Sequence, residues 1–445
     1  MQLSVDELRG EIVGSRKDML TPYGRRRITY ADFTASGRTV AFIEKYLLSL
    51  GESYANSHTE DSYTGKTMTN YVHQAEARVK ELLNATQEDY IIPVGTGSTG
   101  AIQKFCEILG LYVPPKIADY LKGPLTEYTR EVPVVFIGPY EHHSNDLIWR
   151  ESIAEVLTVD LDKDGGIDLV DLEIKLSLPK YRNRLKIGSF SAASNVSGVI
   201  SPVYDIAKIL HENHALACFD FAASGPYVSI DMNRDPESYF DAVYLSPHKF
   251  LGGPGACGLL VINKKLYDSA VSPTVAGGGT VDYVSAFGYV FTEDPESREK
   301  AGTPGIFQIL KMALALELKA AIGIETIEAI EQAHIRHVIH RLQKNPNIEI
   351  LGPDDPDRRV AILSFSVRYR EGYLHHRLVA RLLNDLFGIQ ARAGCGCAGP
   401  YGHRLLGIDR RTSEVFREFI SNGVNSLKPG WVRVNFHYTM TTEQV

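Results

Sequence analysis

Short apolar runs that alternate with helical patterns occupy the chain from about Asp89 to Asn263, and this alternation constrains the fold most strongly. The runs are apolar on both faces and rich in β-branched residues, as strands buried on both sides of a sheet are. Between them lie stretches such as Asp205–His214, whose apolar spacing is helical. This alternation predicts an α/β fold with a mostly parallel sheet flanked by helices. The predicted strands are Ile91–Val94, Val132–Ile137, Leu185–Phe190, Leu216–Phe219, Ala242–Leu245 and Gly258–Ile262.

The pattern changes after Gly302, where a Pro-Gly pair interrupts the chain. A long helical stretch from Ile306 to Ile330 follows, with an expected break near Gly323. A strand and a shorter helix then predict a smaller α+β region, at Val360–Val367 and His375–Leu386. We expect three parts: an N-terminal segment that packs on the small domain, a large domain and a small C-terminal domain, over residues 1–27, 28–300 and 301–445.

Composition narrows the class of protein. The 445 residues are 44% apolar and 23% charged, which is ordinary for a globular protein and enough for two buried cores. A formal net charge of −7, with both signs interspersed, gives no reason to expect nucleic acid or an anionic membrane as a partner. Charged residues interrupt the segment Met1–Met19, so we expect a cytoplasmic protein without a secretory leader or a membrane span. Five cysteines, an odd number, argue against a disulfide framework.

A lysine directly after a predicted strand lies in the most informative segment, Tyr244–Gly258. Ser246, His248 and Lys249 follow the strand, and the glycines that come next permit close approach of the backbone to a ligand. A confined pocket lowers the pKa of a lysine and supplies the neutral amine that an aldehyde cofactor needs. Taken alone, the segment is equally compatible with a surface lysine in a glycine turn.

The segment Gly95–Gly100 has the spacing G-x-G-x-x-G between a predicted strand and a predicted helix. That spacing suggests a dinucleotide fold, but the acidic residue expected about 20 positions later is missing, and so is the G-K-[ST] of a P-loop. Backbone N–H groups at a helix N-terminus, with the hydroxyls of Ser98 and Thr99, can still bind a phosphate. Plain capping of the helix by Ser98 is the alternative.

Other polar side chains follow predicted strands, at the edge where open α/β sheets bind ligands. Asp220 ends one strand and could keep a pyridinium nitrogen protonated, although a lone aspartate is more often a cap or a loop carboxylate. His142 and His143 follow another strand, where an imidazole could stack on a flat ring or could be merely structural. Asn195 follows a third and could donate to a phenolate oxygen or to a substrate.

Together these segments resemble the class V aminotransferase group of fold-type I enzymes, which depend on pyridoxal 5′-phosphate (PLP). Within that group the chain is most similar to cysteine desulfurases and selenocysteine lyases of the SufS type, over about Tyr30 to Thr439. The resemblance implies a large domain with a seven-stranded sheet and a smaller α+β C-terminal domain. The matching segments, in order, are DFTASG (32–37), GSTGAI (97–102), YEHHSND (140–146), SNVSG (194–198), FDFAA (219–223), SPHKFLGGPGACG (246–258), AGTPG (301–305) and RAGCGCAGP (392–400).

The resemblance implies PLP as cofactor and assigns roles to the residues that would hold it. Lys249 would form the Schiff base and shuttle protons, Asp220 would hold the pyridine nitrogen, and His142 would stack on the ring. Asn195 would lie beside the cofactor as well. The phosphate would be bound by residues of two segments, Ser98, Thr99, Ser246 and His248. Thr303 would reach the phosphate of the other subunit, which implies a homodimer.

The resemblance also implies how a small amino acid would be bound and cleaved. Asn195 and Arg433 would hold the substrate carboxylate, a task that suits the planar bidentate donors of arginine. Cys397 lies where desulfurases carry their nucleophile, and it would take sulfur from L-cysteine as a persulfide and leave L-alanine. A sulfur-acceptor protein would then be a partner. Only a thiolate is nucleophilic, so we expect a lowered pKa or a mobile loop at Cys397.

Three departures from the family pattern leave points open. Ala223 replaces the usual glutamine, which removes one hydrogen bond to the PLP phenolate oxygen. Cys395 is an additional cysteine that could form a strained disulfide with Cys397, share its persulfide, or bind a metal with a third ligand such as His403. Two ligands do not make a metal site, so we predict none. Relatives usually continue into a helix beyond the position of Val445, so we expect that helix to be either cut off or absent.

Other functions are compatible with the same segments. Class V enzymes with this cofactor site also catalyse transamination, C–S lysis or epimerisation, because the pocket chooses which bond of the substrate breaks. A second alternative is a non-catalytic sulfur carrier or scaffold, against which the intact Lys249, Asp220 and Arg433 argue. A third is a nicotinamide enzyme built on Gly95–Gly100, which leaves Lys249 and its glycines unexplained.

Overall fold

The computed structural model describes residues 3–57, 59, 61–121, 123 and 131–445. The chain begins with α1 (Val5–Glu11), β1 (Asp18–Thr21), β2 (Gly24–Arg27), β3 (Thr29–Tyr30), α2 (Ala41–Leu50) and α3 (Tyr63–Leu82). The central part contains β4 (Asp89–Val94), α4 (Gly97–Ile108), β5 (Val134–Ile137), α5 (Leu147–Arg150), β6 (Glu155–Thr158), α6 (Leu169–Leu176), β7 (Lys186–Ser191), α7 (Val203–Glu212), β8 (Ala215–Asp220), β9 (Ala242–Leu245), β10 (Gly258–Asn263), β11 (Val281–Ser285), β12 (Gly288–Phe291) and α8 (Pro295–Arg298). The C-terminal part contains α9 (Ile306–Ile322), α10 (Ile324–Leu342), β13 (Ile348–Ile350), β14 (Ile362–Tyr369), β15 (Gly372–Tyr373), α11 (His376–Leu382), β16 (Ile389–Gln390), β17 (Arg392–Gly394), α12 (Gly399–Leu405), α13 (Arg410–Ser421) and β18 (Trp431–Asn435).

Seven strands form the central sheet, in the order β4-β10-β9-β8-β7-β5-β6. Strand β10 alone runs opposite to the other strands of this sheet. The predicted fold class, an α/β fold with a mostly parallel sheet, is therefore confirmed. Strand residues alternate between two buried clusters, one beneath α4 and α5 and the other beneath α3, α7 and α9. Burial on both faces explains why the predicted strands are continuous apolar runs.

The C-terminal part is smaller and mixed. Helices α9 and α10 are separated at Gly323, where the sequence predicts a break and where φ is +89°. An antiparallel sheet of order β13-β14-β18-β17 follows. The 36-residue connection between the paired strands β17 and β18, residues 395–430, carries α12 and α13. None of the helices in the described ranges is both long and apolar enough to cross a membrane.

The N-terminal residues contact this smaller part by strand pairing and by side-chain hydrogen bonds to backbone carbonyls. Strand β3 pairs in parallel with β16. The Thr21 hydroxyl donates to the carbonyl of Asp385 at 2.8 Å, and Arg26 Nε donates to that of Leu386 at 2.6 Å. These contacts are consistent with the predicted packing of residues 1–27 on the small domain, while the predicted domain limits themselves stay predictions.

Candidate active site

The carboxyl ends of five strands of the central sheet, β4, β5, β7, β8 and β9, lead into loops that line one cavity of about 190 Å³. These strands run in the same direction, so they end at the same edge of the sheet. Eight of the eleven predicted site residues line this cavity: Ser98, Thr99, His142, Asn195, Asp220, Ser246, His248 and Lys249. Ala223, at the position of the usual glutamine, lines it too.

Lys249 ends a short 3₁₀ turn after β9, and its side chain lines the cavity. Burial lowers the pKa of its amine to about 8, and the guanidinium groups of Arg433 and Arg392 act in the same direction. The carboxylate of Asp220 opposes this shift. A lysine with such a pKa has a neutral fraction near neutral pH, which attack on a carbonyl carbon requires.

The first turn of α4 and the loop after β9 together form a cup of hydroxyl groups. The backbone N and the Oγ of Ser98 lie 2.9 and 3.0 Å from Ser246 Oγ. Thr99 Oγ1 lies 2.7 Å from Ser144 Oγ. The hydroxyl of Ser98 thus bonds to another loop rather than capping its own helix. Hydroxyl groups at the positive end of a helix dipole are suited to an anion such as a phosphate.

Glycine at position 97 is what lets the two sides of this cup approach. Gly97 has a φ of +53°, and a Cβ there would lie 2.7 Å from Ser246 Oγ and 2.8 Å from a ring carbon of His248. Burial, with a smaller effect of the Lys249 charge, lowers the pKa of His248 to about 4. The imidazole is therefore neutral at pH 7 and can donate one N–H to a ligand.

Three further groups surround the space beside Lys249. Asp220 is 3% exposed and accepts a hydrogen bond from the backbone N of Ala222 at 2.9 Å. Burial raises the pKa of Asp220, so a cationic partner would stabilise its carboxylate. Burial and the charge of Lys249 lower the pKa of His142 to about 3, which keeps that ring neutral. The Oδ1 atom of Asn195 is buried and finds no hydrogen-bond partner in the part of the chain that the structure describes.

Cys397 does not line the cavity but lies on a tight turn beside it, just after β17. Gly396 and Cys397 both have positive φ angles, +59° and +56°, and the backbone N of Ala398 donates to the carbonyl of Cys395 at 3.3 Å. Two successive left-handed residues define a type I′ turn, and a non-glycine residue is strained at the second position. The side chain of Cys397 is exposed, whereas that of Cys395 is half-buried.

This turn is tied to the loops of the cavity by hydrogen bonds. Asn195 Nδ2 donates to the carbonyl of Gly396 at 2.5 Å, and the backbone N of His143 donates to that of Cys397 at 2.8 Å. His143 Nε2 in turn accepts from the backbone N of Gly399 at 3.0 Å. His143 was named with His142 as a ring that could stack on a cofactor or be structural, but its bracing of this turn was not predicted.

Arg433, the second predicted residue outside the cavity, is 5% exposed and borders the Asn195 loop. Its Nη1 donates to the carbonyl of Asn195 at 3.1 Å, and its Nη2 donates to Asp32 Oδ1 at 3.1 Å. Arg392 Nε donates to the other oxygen of Asp32, also at 3.1 Å. Asp32 therefore joins two guanidinium groups. No role was predicted for this aspartate, although it begins the segment DFTASG of the family pattern.

Thr303, the third predicted residue outside the Lys249 cavity, is exposed and lines a separate cavity of about 590 Å³. That cavity includes Gly95 and Thr96, directly before α4, and Lys104 within α4. Within one chain Thr303 is not brought to the Lys249 cavity. Its predicted contribution to the site of a second subunit stays a prediction.

The polar groups around the cavity fit the three reactive parts of PLP. A partly neutral amine suits an aldehyde, the hydroxyl cup at a helix N-terminus suits a phosphate, and a buried carboxylate suits a pyridine nitrogen that holds a proton. The buried Oδ1 of Asn195 adds an unpaired polar atom beside the same space. Among the described residues, no three His, Cys, Asp or Glu side chains are grouped as metal ligands.

A fold-type I sheet with a lysine in a polar cavity at its carboxyl edge defines the class of PLP-dependent enzymes, and the chain is one of them. More particularly, the family model described as Aminotransferase class-V matches residues 30–445. The chain therefore belongs to the class V aminotransferase family, as the sequence motifs predicted.

Several proteins and structures similar to this chain are cysteine desulfurases by name. A probable cysteine desulfurase of Halalkalibacterium halodurans is 29% identical over 382 residues, which cover 84% of each chain. One of Streptomyces coelicolor is 27% identical over 395 residues, 88% of each chain. The solved apo structure of a cysteine desulfurase from Thermococcus onnurineus NA1 has a TM-score of 0.76 and 22% identity, and the match covers 99% of this chain and 94% of that one. The similarity to the Thermococcus onnurineus structure, at 22% identity, shows a shared fold.

Proposed function

We propose that this chain is a PLP-dependent cysteine desulfurase that converts L-cysteine to L-alanine and receives the sulfur on Cys397 as a persulfide. The observation that carries the proposal is the turn of Cys397, which hydrogen bonds from Asn195 and His143 tie to the loops around Lys249. An exposed thiol beside a cavity that holds a reactive lysine is suited to accept an atom released from a substrate. The names of the similar proteins agree with this activity.

Lys249 would carry the cofactor covalently. Ser98, Thr99, Ser246 and His248 would bind its phosphate, and Asp220 would pair with its pyridine nitrogen while His142 stacks on the ring. When bound, PLP withdraws electrons from the α-carbon of an amino acid and so weakens the bonds around that carbon. The amine of Lys249, whose pKa is lowered by burial, would take up the α-proton of the substrate at its Nζ atom and return it.

The substrate carboxylate would be held by Arg433 and Asn195. Arg433 presents a planar guanidinium group, and Asp32 and the carbonyl of Asn195 fix its orientation. A carboxylate held here would place the substrate near the turn of Cys397, because Asn195 also donates to the carbonyl of Gly396. Arg433 is thus proposed as a binding group and Asp32 as a positioning residue.

Cys397 would perform the sulfur transfer as a thiolate. Its sulfur attacks the sulfur of the substrate, the C–S bond breaks, and an S–S bond forms, so that the enzyme holds one additional sulfur atom. The electron pair of the broken bond stays on the substrate carbon, which is later protonated to give alanine. An acceptor protein or thiol would finally remove the sulfur.

The replacement Cys397→Ala tests this proposal. With L-cysteine as substrate, we expect the wild type to release alanine. We expect the rate of alanine release by the variant to be at least ~100-fold lower. Binding of L-cysteine, followed by the visible absorbance of the bound cofactor, should persist in the variant. Cys257→Ala, which removes a buried thiol elsewhere, is the matched control and should keep full activity.

Two results would speak against a desulfurase. Wild-type protein that forms no alanine from L-cysteine would contradict the proposed reaction. A Cys397→Ala variant that turns over normally would show that no protein persulfide is needed, and it would favour a class V aminotransferase, C–S lyase or epimerase with the same PLP site. Ala223, which replaces the usual glutamine in the cavity, is the feature that favours such an alternative.

A further inference from the structure

We propose that Cys395 is a second catalytic cysteine, which displaces the transferred sulfur from Cys397 as hydrosulfide and forms a Cys395–Cys397 disulfide in the same step. The inference rests on the proposed function, because it begins from a persulfide on Cys397. It assigns a role to the thiol that the desulfurase reaction leaves unused.

The turn keeps the two thiols within reach of each other. Cys395 and Cys397 are separated only by Gly396, so their Cα atoms are at most about 7 Å apart, and a left-handed turn shortens this distance. Disulfides form between Cα atoms about 4.4–6.8 Å apart. No disulfide joins the two cysteines in this structure. The sequence spacing and the turn thus bring the two Cα atoms close to the range in which a disulfide can form.

The other three cysteines are poor candidates for such chemistry. Cys106, Cys218 and Cys257 are all buried, and burial raises the pKa of each thiol, to about 12 for Cys106 and Cys257. A buried thiol with a raised pKa supplies almost no thiolate at neutral pH. Cys395 and Cys397 are the two cysteines that are not fully buried, and both are in the turn beside the cavity.

The leaving group favours attack on the inner sulfur atom of the persulfide. The attacking sulfur, the attacked sulfur and the leaving group must lie nearly in line. If Cys395 attacks the outer sulfur, the leaving Cys397 sulfur belongs to the same ring, so the sulfur atom only moves to Cys395 and stays on the protein. If it attacks the inner sulfur, the leaving group lies outside the ring. The leaving hydrosulfide is also a weaker base than a cysteine thiolate, and such groups leave faster.

The proposed step balances without a further reactant. The Cys395 thiol loses its proton, and its sulfur bonds to the sulfur of Cys397. The bond between the Cys397 sulfur and the outer sulfur breaks, and its electron pair leaves on the outer sulfur as hydrosulfide. The proton lost by Cys395 leaves with the hydrosulfide. The sulfur of Cys395 is oxidised and the leaving sulfur is reduced. A second turnover requires a dithiol, supplied as a small molecule or a protein, to reduce the Cys395–Cys397 disulfide by exchange.

A single turnover without added thiol tests the inference. Holoenzyme is mixed with a limiting amount of L-cysteine and quenched in acid, and peptides, alanine and free sulfide are then measured. We expect the wild-type peptide that contains residues 395–397 to lose two hydrogen atoms, with sulfide released in the same amount as alanine. In Cys395→Ser, the peptide should instead gain one sulfur atom on Cys397, and sulfide release should fall at least ~10-fold while alanine formation persists.

The Cys395→Ala variant repeats the test with a different side chain, and Cys257→Ala should behave as the wild type. Alanine formation together with a persulfide that stays on Cys397 of the wild type would overturn the inference and leave the desulfurase function standing. A persulfide found on Cys395 would overturn it as well. If no alanine forms in the wild type, the desulfurase function itself is wrong, and the inference falls with it.

Discussion

Asp32 joins two guanidinium groups at the edge of the active site, and its removal should affect substrate binding. Asp32→Asn keeps the shape of the side chain but removes the charge that holds Arg433 and Arg392. Since Arg433 is buried, we expect the free energy of unfolding to fall by about 1–3 kcal/mol. We expect the KM for the amino-acid substrate to rise about ten-fold, which corresponds to ~1.4 kcal/mol, with a smaller change in kcat. Steady-state kinetics and urea denaturation measure both effects.

The exposed pair of Asp18 and Arg27, 2.7 Å apart, offers a matched control for this prediction. Asp18→Asn should change stability by less than about 1 kcal/mol, because exposed ion pairs contribute little, and it should leave KM unchanged. An Asp32→Asn variant whose KM equals that of the wild type would show that Arg433 does not depend on Asp32 for its position.

The lowered pKa of Lys249 predicts how covalent attachment of PLP depends on pH. Only the neutral amine attacks an aldehyde, and the neutral fraction rises as pH increases through the pKa of about 8. We expect the rate at which apoprotein takes up PLP, followed by absorbance, to rise with pH and to reach half of its maximum near pH 8. A lysine in a model peptide should show its midpoint near ~10.4. A midpoint near that value in the protein would mean that the amine is solvated.

Among single residues, those that follow predicted strands were predicted best from the sequence. Lys249, Asp220 and Asn195 follow buried apolar runs, and parallel strands end at one edge, so the cavity could be expected from chain order alone. Contacts between distant segments left no such local signal. The interaction of Asp32 with Arg433 spans 401 positions, and it depends on how the two parts of the chain pack.

Among the elements, the junction of α9 and α10 depends on a single glycine. Gly323 has φ +89° and ψ +132°, a conformation that is strained for any residue with a Cβ. We expect Gly323→Ala to lower the free energy of unfolding by about 1–3 kcal/mol. Chemical denaturation followed by circular dichroism measures the change.

Gly10 in α1 is the control, because it has an ordinary helical position and open space around the place of a Cβ. Gly10→Ala should be neutral or stabilise by up to about 1 kcal/mol. Equal effects of the two replacements would contradict the account of Gly323.

Prediction of elements succeeded where the pattern was strong. The six predicted strands of the central sheet correspond to β4, β5, β7, β8, β9 and β10, since burial on both faces makes them uniformly apolar. The seventh, β6, was missed because it lies at the edge of the sheet and is half-exposed in the sequence EVLT. The predicted helix at His375–Leu386 is α11 followed by a π-helical turn that ends at Phe387.

At the scale of the whole molecule, exposed apolar side chains on the hairpin of β11 and β12 predict that two copies of the chain associate. Phe287 at its tip is fully exposed, and four neighbouring apolar side chains are more than half exposed: Tyr283, Val284, Tyr289 and Val290. The backbone N of Gly302, beside Thr303, donates to the carbonyl of Gly278 at 2.7 Å, so the hairpin base and the Thr303 loop are neighbours. A dimer that covers the hairpin would bring Thr303 to the second subunit, as the family resemblance implies.

We expect the wild type to sediment as a dimer and Phe287→Asp to weaken the dimer at least ~10-fold, with faster loss of PLP on dilution. Leu20→Asp, at an exposed leucine of the β1–β2 hairpin, should leave the dimer intact. Sedimentation velocity over a range of concentrations measures the association. A wild type that sediments as a monomer at all concentrations would refute the proposed interface.

The proposed function depends on a covalent bond between Lys249 and PLP. Reduction of the holoenzyme with borohydride, followed by digestion and mass spectrometry of the peptides, tests that bond most directly. We predict that one pyridoxyl group is fixed on the peptide of residues 246–258, at Lys249, and that Lys249→Ala carries none. An unmodified Lys249 peptide, or a pyridoxyl group fixed on another lysine, would contradict the account.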